Sequence, residues 1–591
     1  MKKFFYCSLL FAIALITACS DDDPAITLLT SDANGSPVTR IELGPNKDVR
    51  GSIVFESSDA WEAVATSTDD KQCDWLSVSP MQGKAGKFTV TLKALTSNMT
   101  GEERTAILTL YGGGKALQAI SITQAKMDFI EMDQDQYTVS AEGGAIEVPF
   151  TASLPDDCNI RVYYNASMSG WAQVSWMENT RSIMNSGIRV QVDPNQFVNE
   201  RTAQLQFRVF DSSEQEVLQS SIITLTQSGT GALRSTDMSH DGEVKKLLTH
   251  TKGDVGIPLI IMGDGFVDSQ IASGYYDECM KRGVQNFFSE EPLASLRDYF
   301  DVWQVTVVSP TNVLDANQET ALKSYCTGDG TLITGDDNAI LSYAVNISDL
   351  VAENFQLLKE TSILVVMNTD EYAGTCYFGY NIGGETVNLA IGYAPMIYGP
   401  RHEICRQVMV HENAGHGFAK LGDEYAYQSQ GAAPADEIQM IEDVYHPLGW
   451  FVNVSTTYDP DNVPWKNFLQ DNRYQSGDGN GYFLSVIEGA YTYMSGLWRP
   501  TDDSMMNSNT APFNVPSREA IYKRVMSMAY GNSWKYDYED FVAFDQTHLP
   551  VNNVQTRILQ RKRDGFGILD KEEIAKLPSF HRPIFVDKSI H

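Results

Sequence analysis

The sequence predicts a multidomain chain: two all-β, immunoglobulin-like sandwiches followed by one larger α/β domain. Three observations predict it. A segment around Arg104 recurs around Arg201. Alternating apolar and polar residues, the strand pattern, run through both copies. Beyond Gly253 the rhythm changes to short apolar runs separated by stretches of helical length. At 591 residues the chain exceeds what one hydrophobic core accommodates, so roughly two to four domains are expected.

The N-terminus stands apart from the fold. Lys2 and Lys3 precede an apolar run over residues 4–18, too short to span a bilayer as a mature helix. Residues 1–18 therefore read as a signal peptide. Leu15-Ile16-Thr17-Ala18-Cys19 resembles the bacterial lipobox, which implies cleavage before Cys19 and lipidation of its thiol and amine. Ser20-Asp21-Asp22-Asp23 resembles the surface-export signal of lipoproteins in the Bacteroides group. The location these imply is the outer membrane of a Gram-negative cell, exposed at the surface and held by the lipid anchor alone.

The two repeats follow. Glu103-Arg104-Thr105-Ala106-Ile107-Leu108 returns as Glu200-Arg201-Thr202-Ala203-Gln204-Leu205, an offset of 97 residues. Ile122-Thr123-Gln124 returns as Leu225-Thr226-Gln227, an offset of 103. A period of about 100 residues fits tandem β-sandwich modules, placed at 25–126 and 127–229. Trp75-Leu76-Ser77-Val78-Ser79-Pro80, the turn at Gly83 and the Arg-Thr-Ala strand resemble a BACON domain. The second copy is looser, with Trp171-Ala172-Gln173-Val174-Ser175 standing in for the first motif. Domains of that family are linked to carbohydrate or mucin binding and also serve as spacers, so a glycan contact is one expectation and a spacer the other.

A polar stretch over residues 229–253 reads as a linker into a domain spanning 240–591. Apolar runs at 257–262, 302–308 and 362–367 read as strands, and 275–288 and 341–358 as helices between them. That alternation predicts an α/β domain.

Charge and cysteine usage exclude other classes. The net charge of −32 argues against a polyanionic nucleic-acid partner. Beyond Cys7 and Cys19 the cysteines are Cys73, Cys158, Cys279, Cys326, Cys376 and Cys405, with no CxxC pair, so a thiolate zinc site is not expected.

The chemistry concentrates in His411-Glu412-Asn413-Ala414-Gly415-His416 and, after Gly422, Asp423-Glu424-Tyr425. Neutral imidazoles and carboxylates are zinc ligands, and a catalytic zinc keeps three protein ligands and one water. A further carboxylate, Glu412, is placed to take that water's proton. The usual helical spacing is HExxH, at i and i+4. This chain has HExxxH. At about 100° per residue, i+5 lies roughly 140° from the starting face. An extra residue in a π-bulge restores a shared face, and Asn413-Ala414-Gly415 is a suitable place for it. The dipeptidyl peptidase III family is a precedent for the spacing alone. Gly422 is expected to end the helix. Asp423 and Glu424 compete as third ligand, the other carboxylate orienting a histidine.

With these residues in view, HENAGHGFAKLGDEY resembles the active-site segment of the IgA-peptidase family of zinc metallopeptidases. Met262-Gly263-Asp264-Gly265-Phe266, Glu371-Tyr372-Ala373-Gly374, Gly496-Leu497-Trp498-Arg499-Pro500 and Ser504-Met505-Met506-Asn507 resemble further segments of that family, over about 240–530. The resemblance implies an α/β metzincin-like zinc peptidase domain, a Zn²⁺ cofactor and a protein or glycoprotein substrate. Met505 or Met506 is then the floor of a Met-turn. Lesser candidates are Tyr425, Tyr491 and Tyr493 as oxyanion donors, Asp478-Gly479-Asn480-Gly481 as a calcium loop, and His402-Glu403 as a helix start. The alternative function is a carbohydrate- or mucin-binding surface lipoprotein with an inactive peptidase domain.

Overall fold

A computed structural model of the chain describes residues 23–32, 34–67, 73–155, 157–177, 184–475, 477, 482–550, 565–586 and 589–590. Residues 1–18, Cys19 and the acidic stretch to Asp22 lie outside these, as do residues 478–481. No helix among the described residues is long and apolar enough to cross a membrane.

The first module is a two-sheet sandwich. One sheet orders Ile26–Leu28, Arg50–Ser57, Gly86–Ala94 and Leu76–Ser79; the other orders Arg40–Leu43, Lys115–Gln124, Arg104–Gly112, Trp61–Ser67 and Gln82–Gly83. Alternation places Ile53, Phe55, Val90, Leu92, Leu108, Leu110, Ile120 and Ile122 in one core. Each strand's opposite face stays wetter, as a half-buried strand requires.

The second module repeats the plan. Phe129–Met132, Gly144–Ser153, Met184–Val192 and Ala172–Trp176 form one sheet; Gln136–Val139, Ile223–Gln227, Arg201–Phe210 and Asn159–Tyr164 run through the other. The repeated residues carry the same buried corner twice. Arg104 donates to Gln124 Oε1 at 2.9 Å and lies 4.8 Å over the Trp75 ring. Arg201 donates to Gln227 Oε1 at 2.9 Å and lies 4.7 Å over Trp171. A downstream strand, Phe566–Ile568, pairs in parallel with Asn159–Tyr164. Two compact units result: Met1–Glu131 with Phe150–Cys158 and Glu178–Ser186, and Met132–Pro149 with Asn159–Met177 and Gly187–His591.

The α/β part is built on a seven-stranded sheet. Ile257–Asp264 pairs in parallel with Phe300–Val305 and with Ser362–Met367, and the latter with Ala390–Pro395. These strands, mostly apolar, are buried on both faces, the signature of a covered parallel sheet. Thr375–Phe378 runs antiparallel to Ala390–Pro395, and the short C-terminal strand Ile584–Phe585 closes that edge. The apolar runs read from the sequence are these strands. The stretch at 275–288 is the helix Tyr275–Phe287, and that at 341–358 is two helices, Asp337–Ala344 and Ser348–Phe355. Asp264 fixes the end of the central strand. Its carboxylate accepts from Ser309 Oγ (2.8 Å), Thr320 Oγ1 (2.8 Å), Ser324 N (2.9 Å), Ser324 Oγ (2.6 Å) and Leu322 N (3.2 Å).

Candidate metal centre

His402 caps the helix Glu403–Met409, its Nδ1 accepting from Ile404 N at 3.1 Å, which accounts for the His402-Glu403 pair. That helix runs directly into a π-helix, Val410–Phe418. The wide winding extends over nine residues, more than the local bulge the spacing called for. Its i→i+5 hydrogen bonding puts residue i+5 above residue i, so His411 and His416 share a face and their Nε2 atoms stand 3.0 Å apart. Gly415 serves packing: a Cβ there would run into the Met506 sulfur.

The helix ends differently from the expectation. Phe418 is its last residue and Lys420, not Gly422, takes the left-handed conformation, with φ 55°. Lys420 donates its ammonium to Gly417 O, an orphan carbonyl of the last turn. Gly422 is needed for close approach: a Cβ would stand 2.9 Å from Val454 and 3.2 Å from Phe451.

After that turn the two carboxylates part. Asp423 Oδ1 lies 3.1 Å from His411 Nε2 and 3.3 Å from His416 Nε2. Glu424 points the other way and accepts from Asn453 Nδ2 (2.8 Å), Ser504 Oγ (2.8 Å) and Asn514 Nδ2 (2.8 and 2.9 Å). It does not orient a histidine, contrary to the expectation for the second carboxylate. Each histidine is oriented by a main-chain carbonyl: His411 Nδ1 reaches Met505 O at 3.0 Å and His416 Nδ1 reaches Leu421 O at 2.7 Å. Glu424 acts one step back, since its backbone N–H holds Met506 O at 2.8 Å and its side chain holds Ser504. Both methionines of the turn have defined places: Met505 supplies the carbonyl and Met506 lies under the helix at Gly415.

The donor set fits a cation. A carbonyl can only accept, so each Nδ1 carries the proton and each Nε2 presents a lone pair. Two such lone pairs and Asp423 Oδ1 converge in a site where all three residues are buried. Without a positive charge between them these atoms repel. A tetrahedral zinc with ligands at about 2.0–2.1 Å sets donor atoms roughly 3.3 Å apart, close to the spacing found. Burial holds His416 below its usual pKa, favouring the neutral, ligating form. Glu412 is 0% exposed, and among the described residues neither of its oxygens has a hydrogen-bond partner. Burial first, and the Asp423 charge second, push its carboxyl well above the usual range.

Of the oxyanion candidates, Tyr425 lies 6.4 Å from His411, ring to ring, and its hydroxyl donates to Phe580 O. Tyr491 and Tyr493 face Arg582 instead, at 5.1 and 5.8 Å. Sequence reasoning missed Asn453 and Asn514, which carry no motif, and Phe580, whose ring lies 5.8 Å from that of His411 from a distant part of the chain.

A helix that aims two imidazoles and a following aspartate at one point is a donor arrangement suited to a metal ion. Residues 251–476 match the family model of IgA Peptidase M64, a metallopeptidase family, and residues 61–125 match that of the BACON domain. The two matches fall in the order of the architecture, the BACON match on the β-sandwich region and the M64 match on the mixed α/β region that follows. No curated protein matches the chain. Solved structures that overlap it include a Bacteroides ovatus GH5 xyloglucanase (19% identical, 17% of this chain and 19% of that chain, TM-score 0.14). Others are Drosophila N-cadherin EC1-4 (12% identical, 35% and 50%, 0.20) and titin A168169 (12% identical, 33% and 96%, 0.20). The chain spans 19% of the xyloglucanase and half of the cadherin.

Proposed function

We propose that the chain is a surface-anchored zinc metallopeptidase acting on extracellular protein or glycoprotein. One observation carries the reading: Glu412, buried and unpartnered, stands next in sequence to the first member of a converging His411–His416–Asp423 donor set. A buried carboxylate without partners is costly, and a site for reacting water accounts for it. Those three residues are the proposed ligands, and zinc bound there would supply Lewis acidity and a water of lowered pKa. Glu412 takes the proton of the attacking water and passes it to the leaving amine. His411 and His416 hold their orientation through Met505 O and Leu421 O. Exclusion of bulk water by the enclosing side chains strengthens each of these interactions.

Anchoring through Cys19 at the cell surface, and glycan contact through the N-terminal modules, belong to the same proposal and rest on the sequence. The reading with an inactive peptidase domain has less support, because Glu412 and the donor set are all present. The test is cleavage of a peptide library by the purified chain beside Glu412→Gln. Cleavage should vanish with a chelator, return with zinc, and be lost in the variant. Cleavage that survives in Glu412→Gln contradicts the mechanism.

A further inference from the structure

The centre just described admits no protein substrate as it stands, because His411, Glu412, His416 and Asp423 are all fully buried. What covers them is the chain's own C-terminal segment. Phe580, 1% exposed, lies 5.8 Å from the His411 ring and stacks on Tyr372 at 5.1 Å. A Cβ on Gly374 would stand 2.8 Å from Glu412 Oε1 and 3.0 Å from the Phe580 ring, so both line the same small space.

The main chain of that segment is held in a manner indifferent to its sequence. Three tyrosine hydroxyls donate to three successive carbonyls: Tyr372 to Pro578 O (2.7 Å), Tyr427 to Ser579 O (3.5 Å) and Tyr425 to Phe580 O. Further on, Ile584 and Phe585 add a strand to the sheet edge, opposite Tyr377 and Phe378, and Val586 N donates to Phe378 O at 2.8 Å. Backbone held by hydrogen bonds, a strand added to a sheet edge and side chains set against pockets are together the way proteins grip extended peptides. Beyond Phe580 side chains anchor the segment as well: Arg582 pairs with Glu437 at 3.0 Å and lies 5.1 Å over the Tyr491 ring, and Phe585 packs on Phe378 and Tyr445 at 5.7 Å.

We infer that the edge strand Thr375–Phe378 and the tyrosines Tyr372, Tyr425 and Tyr427 form a groove for an extended peptide, with a subsite for an aromatic side chain beside Glu412. The chain's own residues 577–586 occupy that groove as an internal ligand and keep the centre closed. The substrate class is an unfolded or loop segment carrying a bulky aromatic residue, which competes with the tail for the same track. This inference rests on the peptidase reading for the word substrate, but not for the groove.

The experiment compares three chains on a Glu412→Gln background: the full chain, the full chain with Phe580→Ala, and a chain ending at Lys576. The probe is a fluorescein-labelled peptide of residues 577–591, followed by anisotropy. The shortened chain should bind it saturably, the full chain at least about tenfold more weakly, and a peptide with Phe580→Ala about tenfold more weakly again. A shortened chain that unfolds cooperatively like its parent but binds no peptide overturns the inference. If the shortened chain does not fold, the full chain with Phe580→Ala decides. It should bind the probe more tightly than the unaltered full chain, and equal binding overturns the inference. With Glu412 restored, library cleavage should rise at least about tenfold on shortening and be suppressed by the added tail peptide. Probe binding without any cleavage sinks the peptidase reading and leaves the groove. Equal cleavage with and without the tail, and no probe binding, sinks the groove and leaves the peptidase.

Discussion

Asp264 and Glu412 are both 0% exposed carboxylates in the same α/β region, and they are built to opposite rules. Asp264 is surrounded by hydroxyls and backbone N–H groups that saturate its oxygens and pin the stretch that follows the neighbouring strand Phe300–Val305. Among the described residues Glu412 has no such partner. The glutamate beside Asp423 repeats the contrast within two residues: Glu424 is saturated by Asn453, Ser504 and Asn514, while Asp423 Oδ2 has none among the described residues. The difference teaches how to separate structure from chemistry in a buried polar cluster. Saturated groups have finished their work by folding, and unsaturated ones wait for something the protein chain does not supply.

Five substitutions press on that contrast. The largest effect is expected at Glu412. Glu412→Gln should lower peptide cleavage by about 10²- to 10⁴-fold while leaving the unfolding temperature nearly unchanged, since among the described residues the carboxyl has no hydrogen-bond partner to lose. A large loss of stability would place Glu412 among the structural groups. Asp264→Ala should do the reverse, costing about 1–3 kcal/mol for each donor left unsatisfied; urea unfolding would measure it, and a near-neutral result would break the comparison.

Third, Asp423→Ala should abolish stoichiometric zinc, whereas Glu424→Gln, which keeps an acceptor for Asn453 and Asn514, should retain it. Metal analysis of the two variants distinguishes them, and the opposite pattern would make Glu424 the ligand. The smallest effect concerns Lys420. Burial, reinforced by Arg524, holds its ammonium down to about 7, against 10.5 when exposed. Between those values the unfolded chain binds the extra proton, so this residue makes stability rise with pH from about 7 to 10.5 and leaves it flat below 7. Lys420→Met should flatten that rise, as urea midpoints at pH 7 and pH 10 would register; an unchanged slope would assign it to other groups.

Local pattern made much of this legible. Alternation and the 97-residue repeat pointed to repeated β modules, and the repeated Arg, Gln and Trp turn out to be one buried corner built twice. The five-residue histidine spacing, impossible on an ideal α-helix, demanded wider winding, and Val410–Phe418 has it. Other features were hidden because they depend on long-range contacts. Nothing local separates Asp423 from Glu424; the choice is made by Asn453 and Asn514, 29 and 90 residues beyond Glu424. Gly422 carried the helix-stop signal, yet the left-handed residue is Lys420, because its ammonium reaches the last-turn carbonyl and Gly422 is required for contact with Val454. The covering of the centre by Phe580 has no sequence signal, since no motif joins it to His411 across the intervening chain.

The most direct test of the account is the zinc content of the purified, unaltered chain after loading with excess zinc and desalting, beside Asp423→Ala and Glu412→Gln. The account predicts one zinc per chain in the unaltered protein and in Glu412→Gln, and none in Asp423→Ala. An unaltered chain that is folded yet retains no zinc would contradict it.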